Sequence, residues 1–267
     1  MSSLMPATLP YLLLCAAATV FALFTFTWWL SVKLKNFSFV DITWSYSLAI
    51  LAPLYAFLAD GWTERKIIAA VIGLVWSLRL GTYLLVRIKR HHPHEDVRYT
   101  VLREKWKDSL NRNFFGFFQA QALLILLLSI PLALACLNPA PQLSVIEIVG
   151  VCVWLIGIGG EALSDAQMQR FKSDAASKGK VCQVGLWRFS RHPNYFFESV
   201  VWWGFWLFAC GSPWGWLTVY APLSILYFLL RVTGIPLTEE CAVKSKGDAY
   251  REYQRTTSAF IPWPPRA

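Results

Sequence analysis

The chain has 267 residues, of which 56% are hydrophobic and only 15% are charged. Soluble domains average about 45–50% apolar and about 25% charged residues, so this composition argues against an ordinary soluble enzyme and excludes a disordered chain or a coiled coil. The net charge of +9 is not spread evenly, because residues 1–32 contain no Lys, Arg, Asp or Glu. The pattern predicts an all-α, polytopic integral membrane protein and no nucleic-acid partner.

Seven segments are candidates for transmembrane helices, which need about 20 mostly apolar residues. In chain order they cover residues 9–30, 39–58, 67–86, 117–137, 145–163, 196–210 and 214–230. The last two belong to one apolar stretch, which we divide at Gly211, Ser212 and Pro213 because these residues favour a turn. The first segment differs from a signal peptide, since no positive charge precedes it and its apolar stretch is too long. We expect a single membrane domain with seven transmembrane helices, spanning residues 1–267.

The basic residues of the predicted loops give an orientation. Segments 87–112 and 166–195 and the C-terminal tail are rich in Lys and Arg, whereas the alternate loop 138–144 contains neither. By the positive-inside rule, the N-terminus is then outside and the C-terminus is cytoplasmic. One predicted outer loop is an exception, because it contains Arg65 and Lys66.

The cysteines and histidines do not predict a metal or disulfide framework. The six cysteines show no CxxC pair, and we expect them to be small buried hydrophobic residues. A zinc site needs clustered Cys or His ligands. The cluster of His91, His92 and His94 lies beside Arg90 and Arg98, so we expect a basic loop there and no metal.

Ionisable side chains within predicted helices are functional candidates, because charge inside a membrane is costly. These residues are Asp41, Arg79, Glu147, Glu161 and Asp165. We expect Glu147 to meet lipid headgroups at the outer surface. Glu161 and Asp165 should close the fifth helix and, being four residues apart, should face the same side.

A glycine-rich segment in the fifth helix resembles a dinucleotide-binding loop by letter only. Residues 157–162 fit the pattern GxGxxG/A. That fingerprint requires a preceding strand in a βαβ unit, whereas a predicted membrane helix precedes it here. We therefore expect these glycines to allow close packing between helices.

Polar and aromatic residues gather in the C-terminal part of the chain, about residues 160–263. Arg and Lys suit phosphates, Asn suits an amide partner, and Tyr can stack on a ring. The candidate cofactor-binding residues are Ser164, Asp165, Arg170, Lys172, Arg191, His192, Asn194, Tyr195, Glu198, Arg231, Glu239, Tyr250 and Tyr253. A basic membrane anchor with interfacial aromatics would explain the cations, but not Asn194 and Glu198 one helical turn apart.

Two patterns in this region resemble the C-terminal part of the steroid 5α-reductases. One is Arg191-His192-Pro193-Asn194-Tyr195 with Glu198, and the other is Gly247, Tyr250 and Tyr253 followed by Ile261-Pro262. They also resemble the related sterol C14 and C24 reductases and, more distantly, the isoprenylcysteine carboxyl methyltransferases. The bacterial branch of the 5α-reductase family is most similar, and we therefore expect a bacterial inner membrane.

The resemblance implies a seven-helix reductase that uses NADPH and is expected to act as a monomer. The cofactor would lie in the cytoplasmic half, held by the candidate residues above, and a lipid substrate would enter from the bilayer. The implied reaction is hydride transfer to the β-carbon of a conjugated enone, for which a 3-oxo-Δ4 steroid is the best surrogate.

The resemblance also implies a catalytic pair, a carboxyl group on the second helix and a tyrosine on the third, which hold the substrate carbonyl. The carboxyl position falls close to Asp41. The tyrosine position has no match, because the residues before Arg79 read Trp-Ser-Leu, and Tyr46 and Tyr83 are the alternatives. A neutral Asp41 would stabilise the charge that develops on the oxygen. Tyr99 is expected in the cofactor cover.

Two other classes of function stay open. An S-adenosylmethionine-dependent membrane methyltransferase shares the His-Pro-x-Tyr box, but Asn194 with Glu198 and the Ser164-Asp165 pair favour a reductase. A non-catalytic lipid-binding or transport protein is the second alternative, although the two halves of the chain show no internal repeat of the kind that transporters often have.

Overall fold

The computed structural model describes residues 8–91 and 94–266, and within them every regular element is helical. The α-helices are α1 (Thr8–Leu34), α2 (Phe39–Leu58), α3 (Thr63–His91), α4 (Val97–Lys105), α5 (Leu110–Leu137), α6 (Val145–Ser173), α7 (Pro193–Cys210), α8 (Tyr220–Tyr227), α9 (Ile235–Lys246) and α10 (Asp248–Thr256). The predicted all-α class is confirmed over these ranges. His92, in the predicted basic loop, lies outside the described residues.

Six described segments are long and apolar enough to cross a membrane, which makes the chain an integral membrane protein. They are Leu9–Leu34, Phe39–Leu58, Thr63–Arg90, Lys107–Leu137, Val145–Ser173 and Gly215–Lys246. The first five contain the first five predicted spans. The predicted span 196–210 is helical in α7 but is not among the six, because its first turn is polar and tryptophans replace aliphatic residues.

Several predicted helix boundaries are wrong; α5, for example, begins at Leu110 rather than at residue 117. The prediction ended the fifth helix at residue 163, where the apolar run ends, but α6 continues to Ser173. With 29 residues α6 is about 43 Å long, against about 30 Å of hydrocarbon core, so its polar last turns can extend beyond the lipid tails. The predicted helix 214–230 is instead a series of a 3₁₀ turn (Gly215–Val219), α8 and a π turn (Phe228–Val232).

The chain divides into two compact units, and the prediction of a single domain stays a prediction. The first unit comprises Met1–Leu143 with Gly211–Gly215, and the second comprises Ser144–Cys210 with Trp216–Ala267. In the first unit, α2 packs on α3 and α1 packs on α5. The Phe37 ring stacks on Phe114 with centroids 3.7 Å apart, and hydroxyl groups of Tyr55 and Ser129 join α2 to α5 at 2.7 Å.

Arg65, an exception to the predicted charge pattern, is a buried part of the first unit. Its exposed fraction is only 1%. Its guanidinium donates to the carbonyl oxygens of Asn138, Ala140 and Gln142 at 3.0, 2.6 and 2.5 Å. The cation therefore satisfies the carbonyl groups after α5 rather than lying free in a loop.

The second unit is organised by the contact between α6 and α7, where glycines replace side chains. A Cβ atom on Gly157 would lie 2.6 Å from the backbone nitrogen of Val201, and one on Gly204 would lie 2.6 Å from that of Trp154. Gly159, two residues from Gly157, faces open space. The predicted role in close helix packing is confirmed for Gly157 and Gly160, which meets the Phe197 ring, but it is wrong for Gly159.

The acidic residues of α6 are all buried. The prediction that Glu147 meets headgroups is wrong, because its exposed fraction is 0%. Glu147 forms a capping box with Ser144, whose backbone nitrogen and hydroxyl donate to Glu147 Oε2 at 2.7 and 2.8 Å. Glu161 and Asp165 are both buried on the same face, as predicted.

The glycine contact predicts a difference between two alanine substitutions in α6. Gly157→Ala should lower the free energy of unfolding by about 1–3 kcal/mol, because the added methyl group overlaps the α7 backbone. Gly159→Ala meets nothing and should be neutral or stabilising by up to about 1 kcal/mol. SDS titration of the purified variants in mixed micelles measures both values, and equal effects would contradict this view of the interface.

Candidate functional site

A short loop before α7 carries two of the predicted cofactor residues, Arg191 and His192. It begins at Gly185, whose φ of +56° favours glycine. Trp187 is buried, and its Nε1 donates to the carbonyl oxygen of Ser164 at 2.9 Å. The Tyr253 hydroxyl lies within hydrogen-bond distance of the carbonyl oxygens of Trp187 and Ser190. Burial raises the pKa of Tyr253 above its ordinary value of 10.0, so this phenol stays protonated at neutral pH.

Arg191 joins this loop to α9 and α10 through Glu239. Arg191 Nε donates to Glu239 Oε1 at 2.6 Å, and its Nη1 donates to the carbonyl oxygens of Gln254 and Thr257. His192 Nε2 lies 3.2 Å from the same carboxylate oxygen, and Gln254 Nε2 donates to Oε2 at 2.8 Å. The exposed side-chain fractions are 9% for Arg191 and 16% for Glu239, so the pair is largely removed from water.

The first turn of α7 presents an unsatisfied polar atom. Asn194 Oδ1 is buried and has no hydrogen-bond partner among the residues that the structure describes. Its neighbours are engaged, because Tyr195 stacks on His192 at 5.3 Å and Glu198 Oε1 accepts from Trp202 Nε1 at 2.9 Å. Since buried acceptors are almost always paired, Asn194 Oδ1 is a place where a ligand N–H can bind.

The structure brings some of the predicted cofactor residues together and leaves others apart. Arg191, His192, Tyr195, Glu239, Tyr250 and Tyr253 form one network in the second unit with Asn194 beside it. Ser164 and Asp165 are buried on α6. Arg170 and Lys172 are exposed in its last turn, and Arg231 is exposed in the π turn.

Asp41 lies in a second cluster, within the first unit. Its Oδ2 accepts from Arg98 Nη2 at 2.7 Å, and its Oδ1 accepts from the Tyr99 hydroxyl at 2.6 Å. Arg98 also donates through Nε to Asp96 Oδ1 at 2.9 Å, and Arg87 donates to Asp96 Oδ2 at 3.0 Å. Three anionic or phenolic groups thus share two guanidinium groups.

The contacts in this cluster shift the pKa of Tyr99 and the pKa of Asp96 in opposite directions. Burial, reinforced by the negative charge of Asp41, raises the pKa of Tyr99 well above its ordinary value of 10.0. Burial alone would raise the pKa of Asp96, but the hydrogen bonds and charge of Arg98 outweigh it and lower that pKa below 3.8. Tyr99 is therefore the neutral hydrogen-bond donor of the cluster, and Asp96 is ionised.

Sequence reasoning named Asp41 and Tyr99 but did not pair them, since it expected Tyr99 in the cofactor cover. The Tyr46 hydroxyl bonds to Thr82 Oγ1 at 2.9 Å, and Tyr83 is half-buried on α3. Asp41 is paired with Arg98, and the catalytic roles of Asp41, Tyr46 and Tyr83 stay predictions. The sequence pattern that could have indicated the contact between Asp41 and Tyr99 is the helix cap at Asp96. Asp96 accepts from the backbone nitrogen of Arg98 and so fixes α4, the helix that carries Tyr99.

The fold and the two clusters define a helical integral membrane protein with buried polar sites. The chain belongs to the family described as "Protein of unknown function (DUF1295)", whose model matches residues 27–257. It is similar to "Uncharacterized protein C594.04c" of Schizosaccharomyces pombe, with 29% identity over 263 residues, covering 88% of this chain and 75% of the relative. No solved structure matches the chain.

The contact between Arg191 and Glu239 predicts a difference between neighbouring glutamates. Glu239→Gln should lower the free energy of unfolding by about 3 kcal/mol, because it leaves a buried guanidinium without its counter-charge. Glu240→Gln should leave stability unchanged, since Glu240 pairs only with Lys244 on the surface. SDS titration compares the two, and equal losses would show that Arg191 does not depend on Glu239.

The lowered pKa of Asp96 predicts an acid dependence of stability. Because the folded-state pKa lies below the ordinary value of 3.8, the stabilisation by Asp96 is fully present above about pH 4 and is lost as the pH falls through the folded-state pKa. The difference in thermal midpoint between wild type and Asp96→Asn should therefore shrink below pH 4. Exposed Asp60 provides the control, and an Asp60→Asn variant should track the wild type throughout.

Proposed function

We propose that the protein is an NADPH-dependent membrane reductase, similar to the steroid 5α-reductases, that reduces a conjugated enone of a lipid. The observation that carries the proposal is the buried, unpartnered Oδ1 atom of Asn194. The carboxamide of nicotinamide offers the N–H donor that this acceptor lacks. Asn194 also lies within the region, about residues 160–263, over which the sequence resembles the reductases.

The other residues of the second unit would divide the work of holding the cofactor. Arg170, Lys172 and Arg231 have exposed cationic groups suited to phosphates. Ser164, Asp165 and Glu198 are buried polar residues suited to orienting a ligand. The side chains of Arg191, Glu239 and Tyr253 are occupied by the internal network, so in this proposal they position the loop before Asn194.

The candidate acidic group of the reaction is the cluster of Asp41 and Tyr99. NADPH, when bound, would supply the hydride for the β-carbon of the enone. Negative charge then develops on the substrate carbonyl oxygen, and a preorganised donor lowers the cost of that charge. In this proposal the donor is the Tyr99 hydroxyl, whose single proton turns from Asp41 Oδ1 to the substrate oxygen when the enone binds, and Arg98 stays paired with Asp41. A proton from water completes the reduction at the α-carbon.

The membrane arrangement supports a lipid substrate. The candidate spans expose large apolar side chains, as in α1, α3 and α6, and these suit contact with lipid tails. The proposal retains seven spans, a cytoplasmic C-terminus and a bacterial inner membrane. A 3-oxo-Δ4 steroid is the surrogate substrate, because its enone has the required conjugation.

Deuterium transfer tests the proposed reaction. Purified protein is incubated with 4-deuterated NADPH and progesterone, and the product is followed by mass spectrometry. We expect a gain of two hydrogens with deuterium at C5. Stabilisation by NADPH without product would retain the reductase and discard the steroid, whereas stabilisation by S-adenosylmethionine alone would replace the reductase with a methyltransferase.

Single substitutions test the two clusters. Tyr99→Phe should lower kcat by about 10²–10³-fold, the usual effect of removing one oxyanion donor, with NADPH binding unchanged. Asp41→Asn should also abolish turnover, and Tyr46→Phe and Tyr83→Phe compare the alternatives. Asn194→Ala should instead weaken NADPH binding by about tenfold, with Asn111→Ala on the exposed face of α5 as its control. Normal turnover in Tyr99→Phe would remove this residue from the mechanism.

A further inference from the structure

A hollow of about 380 Å³ lies beside the last turn of α6, in the second unit. Its size falls within the range of small-molecule sites. Met168 and Phe171 contribute apolar surface to it, and four lysines converge on it from three parts of the chain. These are Lys172 from α6, Lys178 and Lys180 from the following loop, and Lys246 from the end of α9.

The four lysines are not compensated by protein carboxylates. Among the residues that the structure describes, none of the four forms an ion pair. Asp174 is the one acidic residue that lines the hollow within those ranges. Its carboxylate is engaged in the turn, where the Ala176 backbone nitrogen donates to Oδ1 at 2.9 Å and the Ser177 hydroxyl donates to Oδ2 at 3.1 Å.

Two of these lysines, Lys172 from α6 and Lys246 from α9, line the same hollow, so their like charges disfavour each other. Both charges also act on the buried thiol of Cys182. Lysines on a solvated loop usually spread apart, because separation lowers their repulsion in water. Here a helix end and a neighbouring helix hold two of them together, so a bound anion would relieve the repulsion.

We infer that this hollow is a binding site for a phosphate-bearing anion. Lysine ammonium groups bind phosphate as point charges, and four of them match a group that carries two or more negative charges. A single carboxylate would leave most of the positive charge uncompensated. The phosphate can belong to a soluble phosphate ester or to the headgroup of an anionic phospholipid. The hollow shares Lys172 with the proposed cofactor residues. The inference does not rest on reductase activity, because phosphate binding is measured directly.

Binding of inorganic pyrophosphate tests the site. The wild-type protein in phosphatidylcholine nanodiscs is titrated with pyrophosphate by calorimetry, and the variant Lys178→Gln/Lys180→Gln should bind about tenfold more weakly or worse. The control, Lys105→Gln/Lys107→Gln, removes the same charge from exposed positions in the first unit. The control should keep wild-type affinity. Equal weakening in both variants would show a general effect of charge and would overturn the proposal.

Lysine footprinting identifies the source of the phosphate and does not depend on any variant. Wild-type protein is acetylated with and without pyrophosphate in phosphatidylcholine nanodiscs, and separately in phosphatidylglycerol nanodiscs, and each lysine is quantified by mass spectrometry. Protection of the four hollow lysines by pyrophosphate indicates a soluble phosphate, and protection by phosphatidylglycerol alone indicates a lipid headgroup. If neither protects them more than Lys105 and Lys107, the inference is wrong.

Discussion

The buried ion pair between Arg191 and Glu239 is the interaction on which the second unit depends. A guanidinium removed from water is stable only if its charge is compensated and its donors find acceptors, and here a carboxylate and two carbonyl groups accept from Nε and Nη1. Those acceptors come from α9, from α10 and from the segment after it. One charge therefore fixes the loop that precedes α7, and through it the position of Asn194.

The first unit follows the same rule with a different result. Asp41 and Asp96 share the guanidinium of Arg98, which leaves the phenol of Tyr99 as a neutral donor held by a carboxylate. The second unit contains a buried acceptor, Asn194 Oδ1, that its described contacts leave unpaired, whereas in the first unit the Tyr99 proton is held by Asp41.

Hydropathy predicted the helices well because burial in lipid and helix length are both properties of a single segment. Phe39–Leu58 was predicted at both ends, since polar residues flank the apolar run. The end of α6 was missed because a helix can continue in polar sequence once lipid is left behind. The pairing of Asp41 with Tyr99 spans 58 positions and leaves no local pattern. The capping box of Ser144 and Glu147 does have a local signature, and it would have identified the buried glutamate.

The carbonyl contacts of Arg65 bear on how membrane topology is read from charge. The positive-inside rule counts cations that resist transfer across the bilayer, and its premise is a solvated charge. Arg65 is instead enclosed by three backbone carbonyls with 1% of its surface accessible. In the folded protein this charge therefore stabilises the segment after α5, a role that is separate from any effect on insertion. Scans that score stability and scans that score insertion direction should therefore rank this position very differently.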